Sequence, residues 1–282
     1  MGGAYYSTSN RSIRAESLGF FTKSADQIFE QNQKRMIHES MDPKKALIRE
    51  SRDSENHPNS VPIIFALDLT GSMGRIPHYL VKDGLPNLMS NIIQRGVLDP
   101  QILFLGIGDH QCDRYPLQVG QFESGDEELD LWLTRTYIEG NGGGNAGESY
   151  PLAWYFAAKH VKTQCFDNRN SKGFVFTIGD EPFLNEFPGS AITKIIGDAE
   201  VANSYTAAEF LAEAQKKNHV YHIFVEHGFR KCNSAWNQLL GENLIVISDY
   251  TTISRVISDI ILKHVKPSEF SPLVSDNTTP LL

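Results

Sequence analysis

The chain has 282 residues, 40% of them hydrophobic and 21% charged, which suits one large globular domain with additions. Its formal net charge of −8 argues against a nucleic-acid partner, since a phosphate-binding face needs a basic excess. Cys112, Cys165 and Cys232 form no CxxC pair, no stretch reaches 18 apolar residues, and the N-terminus does not read as a signal peptide; the expectations are no disulfide framework, no zinc site, no membrane span and a cytoplasmic location.

Residues 1–60 read as a helical and irregular N-terminal extension. Within it, 24–41 is expected to be a helix opened by Ser24 or Asp26, and 49–60 a polar linker. Phe20, Phe21, Ile28 and Phe29 are its candidates for packing onto the rest of the chain. At VPIIFALD, 61–68, the character changes to a continuous apolar run, the pattern of a strand buried on both faces. A helix follows over 77–96, with Gly84 and Pro86 placed to bend it, then strands at 101–108 and 116–122. GDEELD, 125–130, reads as the solvated start of a helix running to 138. After the glycine-rich EGNGGGNAGESY come a helix at 151–161, a strand at 172–180, a helix at 205–218, a strand at 219–227, a short helix with an edge-like strand, and a closing helix at 251–265. The tail 266–282 is Pro/Ser/Asn/Thr-rich and is expected to be loose. Alternation of this kind over 61–265 predicts an α/β fold: a doubly wound, mostly parallel central sheet with helices on both faces.

In such a sheet, sites form beyond the carboxyl ends of the strands. Three loops should meet there: DLTGSMG after the first strand, the glycine-rich loop before the helix at 148–161, and GDEP after the strand at 174–178. Asp68, Thr70 and Ser72 offer one carboxylate and two hydroxyls, all hard oxygen donors of the kind Mg²⁺ takes, while the same residues also occur as ordinary helix caps. Asp180 joins them from another strand end. No GxSxG elbow and no GxxxxGK[ST] phosphate loop is present. His78 and His110 are the candidate bases for an enzymatic reading, and HQCD at 110–113 has no diagnostic metal spacing.

These residues resemble the von Willebrand factor A domain, whose metal-ion-dependent adhesion site joins an Asp-x-Ser-x-Ser loop to a Thr and an Asp from two later loops. The first element stands here as Asp68-Leu69-Thr70-Gly71-Ser72, followed by Met73, and the late Asp as Asp180 in FTIGDEP. The loop at 139–149 contains no threonine; Asn145 is its best match, with Glu148 next and Thr134 and Thr136 too early. The resemblance covers about residues 61–265 and is to intracellular bacterial or phage members more than to secreted adhesion modules. It implies Mg²⁺ or Mn²⁺ held by Asp68, Thr70, Ser72, Asn145 and Asp180, with Glu148 and Asp109 behind them, and a protein partner whose Asp or Glu completes the ion's shell. It implies binding and not catalysis. The alternatives are a metal-assisted hydrolase using Asp68 and Asp180, and a structural or assembly protein that keeps the fold without the metal.

Overall fold

The computed structural model describes residues 5–139, 147–199, 204–228 and 230–265. The apolar run forms β1 (Val61–Asp68), buried along almost its whole length, at the centre of a six-stranded sheet. The other strands are β2 (Pro100–Ile107), β3 (Leu117–Glu123), β4 (Gly173–Gly179), β5 (Asn218–Val225) and β6 (Leu244–Ile247). Their order is β6-β5-β4-β1-β2-β3, and every pair is parallel except β2 with β3, which is antiparallel. The mostly parallel α/β expectation therefore holds, with one antiparallel edge strand joined to its neighbour by a short connection.

Period-two alternation divides β1 between two cores. Ile63, Phe65 and Leu67 face one, packed against helices Leu85–Gln94, Asp126–Thr134 and Ile253–His264; Ile64 and Ala66 face the other, packed against Pro151–Lys159, Gly189–Ile196, Ala207–Gln215 and Ser234–Leu240. Each fully buried aliphatic or aromatic side chain here contributes about 1.5–3 kcal/mol. Among the described residues, no helix is long and apolar enough to cross a membrane.

Several local expectations fail for identifiable reasons. The helix expected over 24–41 is broken into Ala25–Ile28 and Glu30–Lys34: Phe29 leaves the helical region (φ −91, ψ 82) to bury its ring, and Arg35 ends the second piece in the left-handed region. The polar linker begins with a short strand, Arg49–Ser51, parallel to Val161–Thr163. GDEELD is not merely solvated, because Asp126 and Asp130 are buried in ion pairs with Arg14 and Arg11 of the N-terminal helix Thr8–Ser17. Phe20, Ile28 and Phe29 are buried in the core, whereas Phe21 is exposed. The helix Gly189–Ile196 and the short antiparallel pair Glu186–Pro188 and Ser204–Thr206 carried no clear sequence signal. The tail 266–282 lies outside the described residues.

Gly84 and Pro86 do more than bend a helix. The stretch runs Ile76–Tyr79, a π-helical turn over Leu80–Gly84, then Leu85–Gln94. Pro86 has no amide to offer the carbonyl four residues back, Lys82 O. Arg11 Nη1 donates to that carbonyl at 2.8 Å, and Nη2 donates to Val81 O. An arginine of the N-terminal helix thus satisfies the backbone groups that the π turn releases.

Candidate metal centre

The chain winds from β1 out through β2 and β3, then returns on the other side of β1 as β4, β5 and β6. The crevice between the carboxyl ends of β1 and β4 is the switch point of the sheet, where open α/β folds place their ligands. Asp68 is the last residue of β1, and Asp180 follows the last residue of β4. Both are buried, at 0% and 1% exposure.

A continuous chain of oxygen contacts links them. Asp68 Oδ1 accepts from Thr70 N at 2.9 Å and from Thr70 Oγ1 at 2.6 Å. Thr70 Oγ1 lies 3.2 Å from Ser72 Oγ, which donates to Asp180 Oδ1 at 2.8 Å. The loop attains this by a 3₁₀ turn over Gly71–Met73, closed by Gly74 at φ +51, a conformation glycine adopts without a Cβ penalty.

Tyr150, which sequence reasoning missed, holds the other side of Asp68. Its hydroxyl donates to Asp68 Oδ2 at 2.7 Å and accepts from Glu181 N at 3.3 Å. The ring packs against His222 and Trp236, which stack on each other at 3.6 Å, and Trp236 Nε1 donates to Glu181 O at 3.1 Å. Gly179 makes this possible: a Cβ there would stand 1.9 Å from the Tyr150 hydroxyl. No spacing rule marks a tyrosine one residue before a helix.

Asp180 has nitrogen-bearing neighbours that also went unread. His227 Nε2 lies 2.7 Å from Asp180 Oδ2, Arg230 Nε 4.0 Å from the same oxygen, and Arg230 Nη1 pairs with Glu181. Both belong to the loop after β5, so the carboxyl-end rule that marked the other loops would have found them. His78 bonds back to the Lys23 backbone, and His110 Nδ1 lies 2.8 Å from Ser149 Oγ.

Burial pushes the Asp68 carboxyl up to about 7, against the hydrogen bonds from Thr70 and Tyr150, and the nearby Asp180 charge adds to the rise. Glu148 is pushed well above the usual carboxylate range, first by burial and then by the charges of Asp68, Asp113, Asp109 and Glu181. Among the described residues its Oε2 is buried without a hydrogen-bond partner, as is Asp109 Oδ2. Asp109 belongs to a tight turn in which its Oδ1 accepts from Gln111 N at 2.7 Å and its own N–H donates to Asp113 Oδ2. Ser149, beside Glu148, accepts from His110 N at 2.8 Å and so fastens that turn to the loop. The structure thus brings Asp68, Thr70, Ser72 and Asp180 into hydrogen-bond contact and sets Glu148 within electrostatic reach of Asp68, with Asp109 acting on Glu148 in turn. Asn145 lies outside the described residues.

This donor set fits a hard, oxygen-liganded cation. It combines buried carboxylates that lack full compensation with two hydroxyls, and orphaned carboxylate oxygens mark the shortage of positive charge. Among the described residues, no three His, Cys, Asp or Glu side chains form a metal cage, so hydroxyls would have to supply part of the shell.

No family model matches the chain, and no curated protein matches it. Solved structures do. The SpaC pilus adhesin of Lactobacillus rhamnosus GG, in its open conformation, aligns over 76% of this chain and 31% of its own, at 10% identity and a TM-score of 0.46. Proximal thread matrix protein 1 of the mussel byssus aligns over 72% of this chain and 47% of its own, at 11% identity and 0.47. An aerotolerance-related membrane protein from Bacteroides fragilis aligns over 72% of this chain and 99% of its own, at 13% identity and 0.41. The chain spans less than half the length of the adhesin and the thread protein. No function, ligand or partner passes from these three to this chain.

Proposed function

We propose that the chain is a divalent-cation-dependent protein-binding module. Asp68, Thr70, Ser72 and Asp180 would hold Mg²⁺ or Mn²⁺, backed by Glu148 and Asp109, and Asn145 would contribute from its loop. The ion would supply a Lewis-acidic position for an Asp or Glu of a partner protein. The observation that carries this reading is the unbroken Asp68–Thr70–Ser72–Asp180 oxygen chain at the switch point, beside buried carboxylates short of positive charge. Few carboxylates and two neutral hydroxyls leave the ion electrophilic, and burial strengthens its attraction for an incoming anion. Titration of Mn²⁺ followed by electron paramagnetic resonance tests it. Saturable one-site binding in the native chain, weakened at least about tenfold in Ser72→Ala, is expected; equal affinities would remove the hydroxyls from the site.

The His227–Asp180 contact favours a second reading, a metal-assisted hydrolase using Asp68 and Asp180 with His227 as base. Hydrolysis of p-nitrophenyl phosphate or acetate that requires Mn²⁺ and disappears in His227→Gln would support it; no turnover above background would leave binding as the activity.

A further inference from the structure

Beside the metal loop is a cleft of about 460 Å³ lined by Asp26, Asn32, Arg35, Gly74, His78 and Tyr137, among others. Gly74 stands two residues beyond Ser72. On the opposite wall, Tyr137 and Ile138 lead into Glu139, which forms a parallel bridge with Thr70. The cleft therefore abuts the loop that carries the hydroxyl donors.

Its third wall is the N-terminal extension. Asn32 Oδ1 accepts from Ile138 N at 2.9 Å, and Asn32 Nδ2 donates to Asp26 Oδ1 at 3.1 Å, so the short helix Glu30–Lys34 is fastened to the rim. Arg35 follows directly, at φ 51 and ψ 41, with an exposed side chain. Arg114 approaches from the other direction: its guanidinium lies 5.1 Å from the Tyr115 ring centre, and Tyr115 packs edge-on against Tyr137 at 5.9 Å. Both arginines act electrostatically on the Tyr137 phenol, and neither forms an ion pair among the described residues. The acids facing them are Asp26 in the cleft and Glu139 beyond Tyr137. Two unpaired guanidiniums, 79 positions apart in sequence, thus flank one tyrosine at the edge of an acidic, cation-seeking centre. Guanidinium favours carboxylate geometrically, through paired N–H donors, and the phenol adds a third donor.

We propose that Arg35, Arg114 and Tyr137 form a second acidic-group subsite, so that the partner is an acidic peptide segment with at least two carboxylates, one for the cation and one for the arginines. The N-terminal extension is then part of the binding face as well as a packing element. This rests on the metal-bridged reading above.

The test is fluorescence anisotropy with the full chain and a labelled hexa-aspartate peptide, in Mg²⁺ and in EDTA, with circular dichroism confirming that each variant is folded. The native chain should bind in Mg²⁺. Arg35→Glu/Arg114→Glu should weaken that binding at least about tenfold, and Arg35→Lys/Arg114→Lys should recover only part of it, since an ammonium keeps the charge but not the paired N–H donors. The affinity of both variants for Mn²⁺ alone should equal that of the native chain. Metal-dependent peptide binding that is unchanged in the double Glu variant overturns the subsite and leaves the metal bridge standing. Binding that survives EDTA and Asp68→Ala but disappears in the double Glu variant overturns the metal bridge instead. Absence of peptide binding by the native chain in Mg²⁺ overturns both.

Discussion

Asp68 combines three roles that pull against one another: it ends a central strand, it accepts three hydrogen bonds, and it is completely buried. Its raised carboxyl means that the cation-free folded chain holds the proton more tightly than the unfolded chain does. Stability from this group is therefore full below the ordinary carboxylate value of about 4 and is lost as pH rises towards about 7. Glu148 extends the loss to higher pH. Asp68→Asn should flatten the fall between about pH 4 and 7, read as chemical denaturation at a series of pH values with chelator present; an unchanged profile would contradict the assignment. Cation affinity should run the other way, declining below about pH 7 as protons compete for the same oxygen. Gly179→Ala should destabilise by about 1–3 kcal/mol, the usual range for overpacking, because the new methyl displaces the Tyr150 hydroxyl. Tyr150→Ala in the same background removes the hydroxyl and the ring carbons 2.5 Å from the new methyl, so the pair should cost less than the sum of the single changes in thermal melts; a fully additive double variant would show that the clash is elsewhere. The loop DLTGSMG was legible at this scale because strand-end position and donor chemistry are both written locally. Tyr150 was not, because its role comes from tertiary proximity to a residue 82 positions away, whereas His227 and Arg230 were open to the carboxyl-end rule, had it been extended to the loop after β5.

At the scale of elements, strands were the most readable. Buried parallel strands carry apolar runs with sharp ends, and β1 was expected to the residue at 61–68. Helix ends were less so: the stretch expected over 126–138 stops at Thr134. The break at Phe29 was hidden because the apolar residues of 24–41 make only a partial helical stripe, which does not mark a break, whereas burial of Phe29 against the core outweighs the local preference. The burial of Asp126 and Asp130 was equally hidden, since their cations come from 112 to 119 positions upstream. Arg11 is the joint between these levels. It neutralises Asp130 and caps the two carbonyls of the π turn while only 3% exposed. Arg11→Ala leaves two carbonyls without their donor and Asp130 with Arg14 alone, and should cost about 1–3 kcal/mol by urea denaturation. A loss under about 1 kcal/mol would show that the N-terminal helix is only loosely held.

For the molecule as a whole, the winding order decides where the chemistry lies. The chain leaves β1 in one direction and returns in the other, which places Asp68 and Asp180 on either side of one crevice although 112 residues separate them. That convergence was legible from alternation of strands and helices plus the carboxyl-end rule. The antiparallel direction of β3 was not, because its ladder with β2 leaves no local mark, nor was the contact of the N-terminal extension with it, where Arg49 donates to Gly120 O at 2.6 Å. Under the proposed metal binding, a cation at a hundredfold excess over Kd would stabilise the whole fold by about 2.7 kcal/mol, a rise of several degrees in Tm. The most direct measurement is isothermal titration of the chelator-treated chain with Mg²⁺ and Mn²⁺, beside Asp68→Ala. One saturable site, absent in the variant, is the expected result; no heat of binding in the native chain, or equal binding by the variant, would contradict the metal centre.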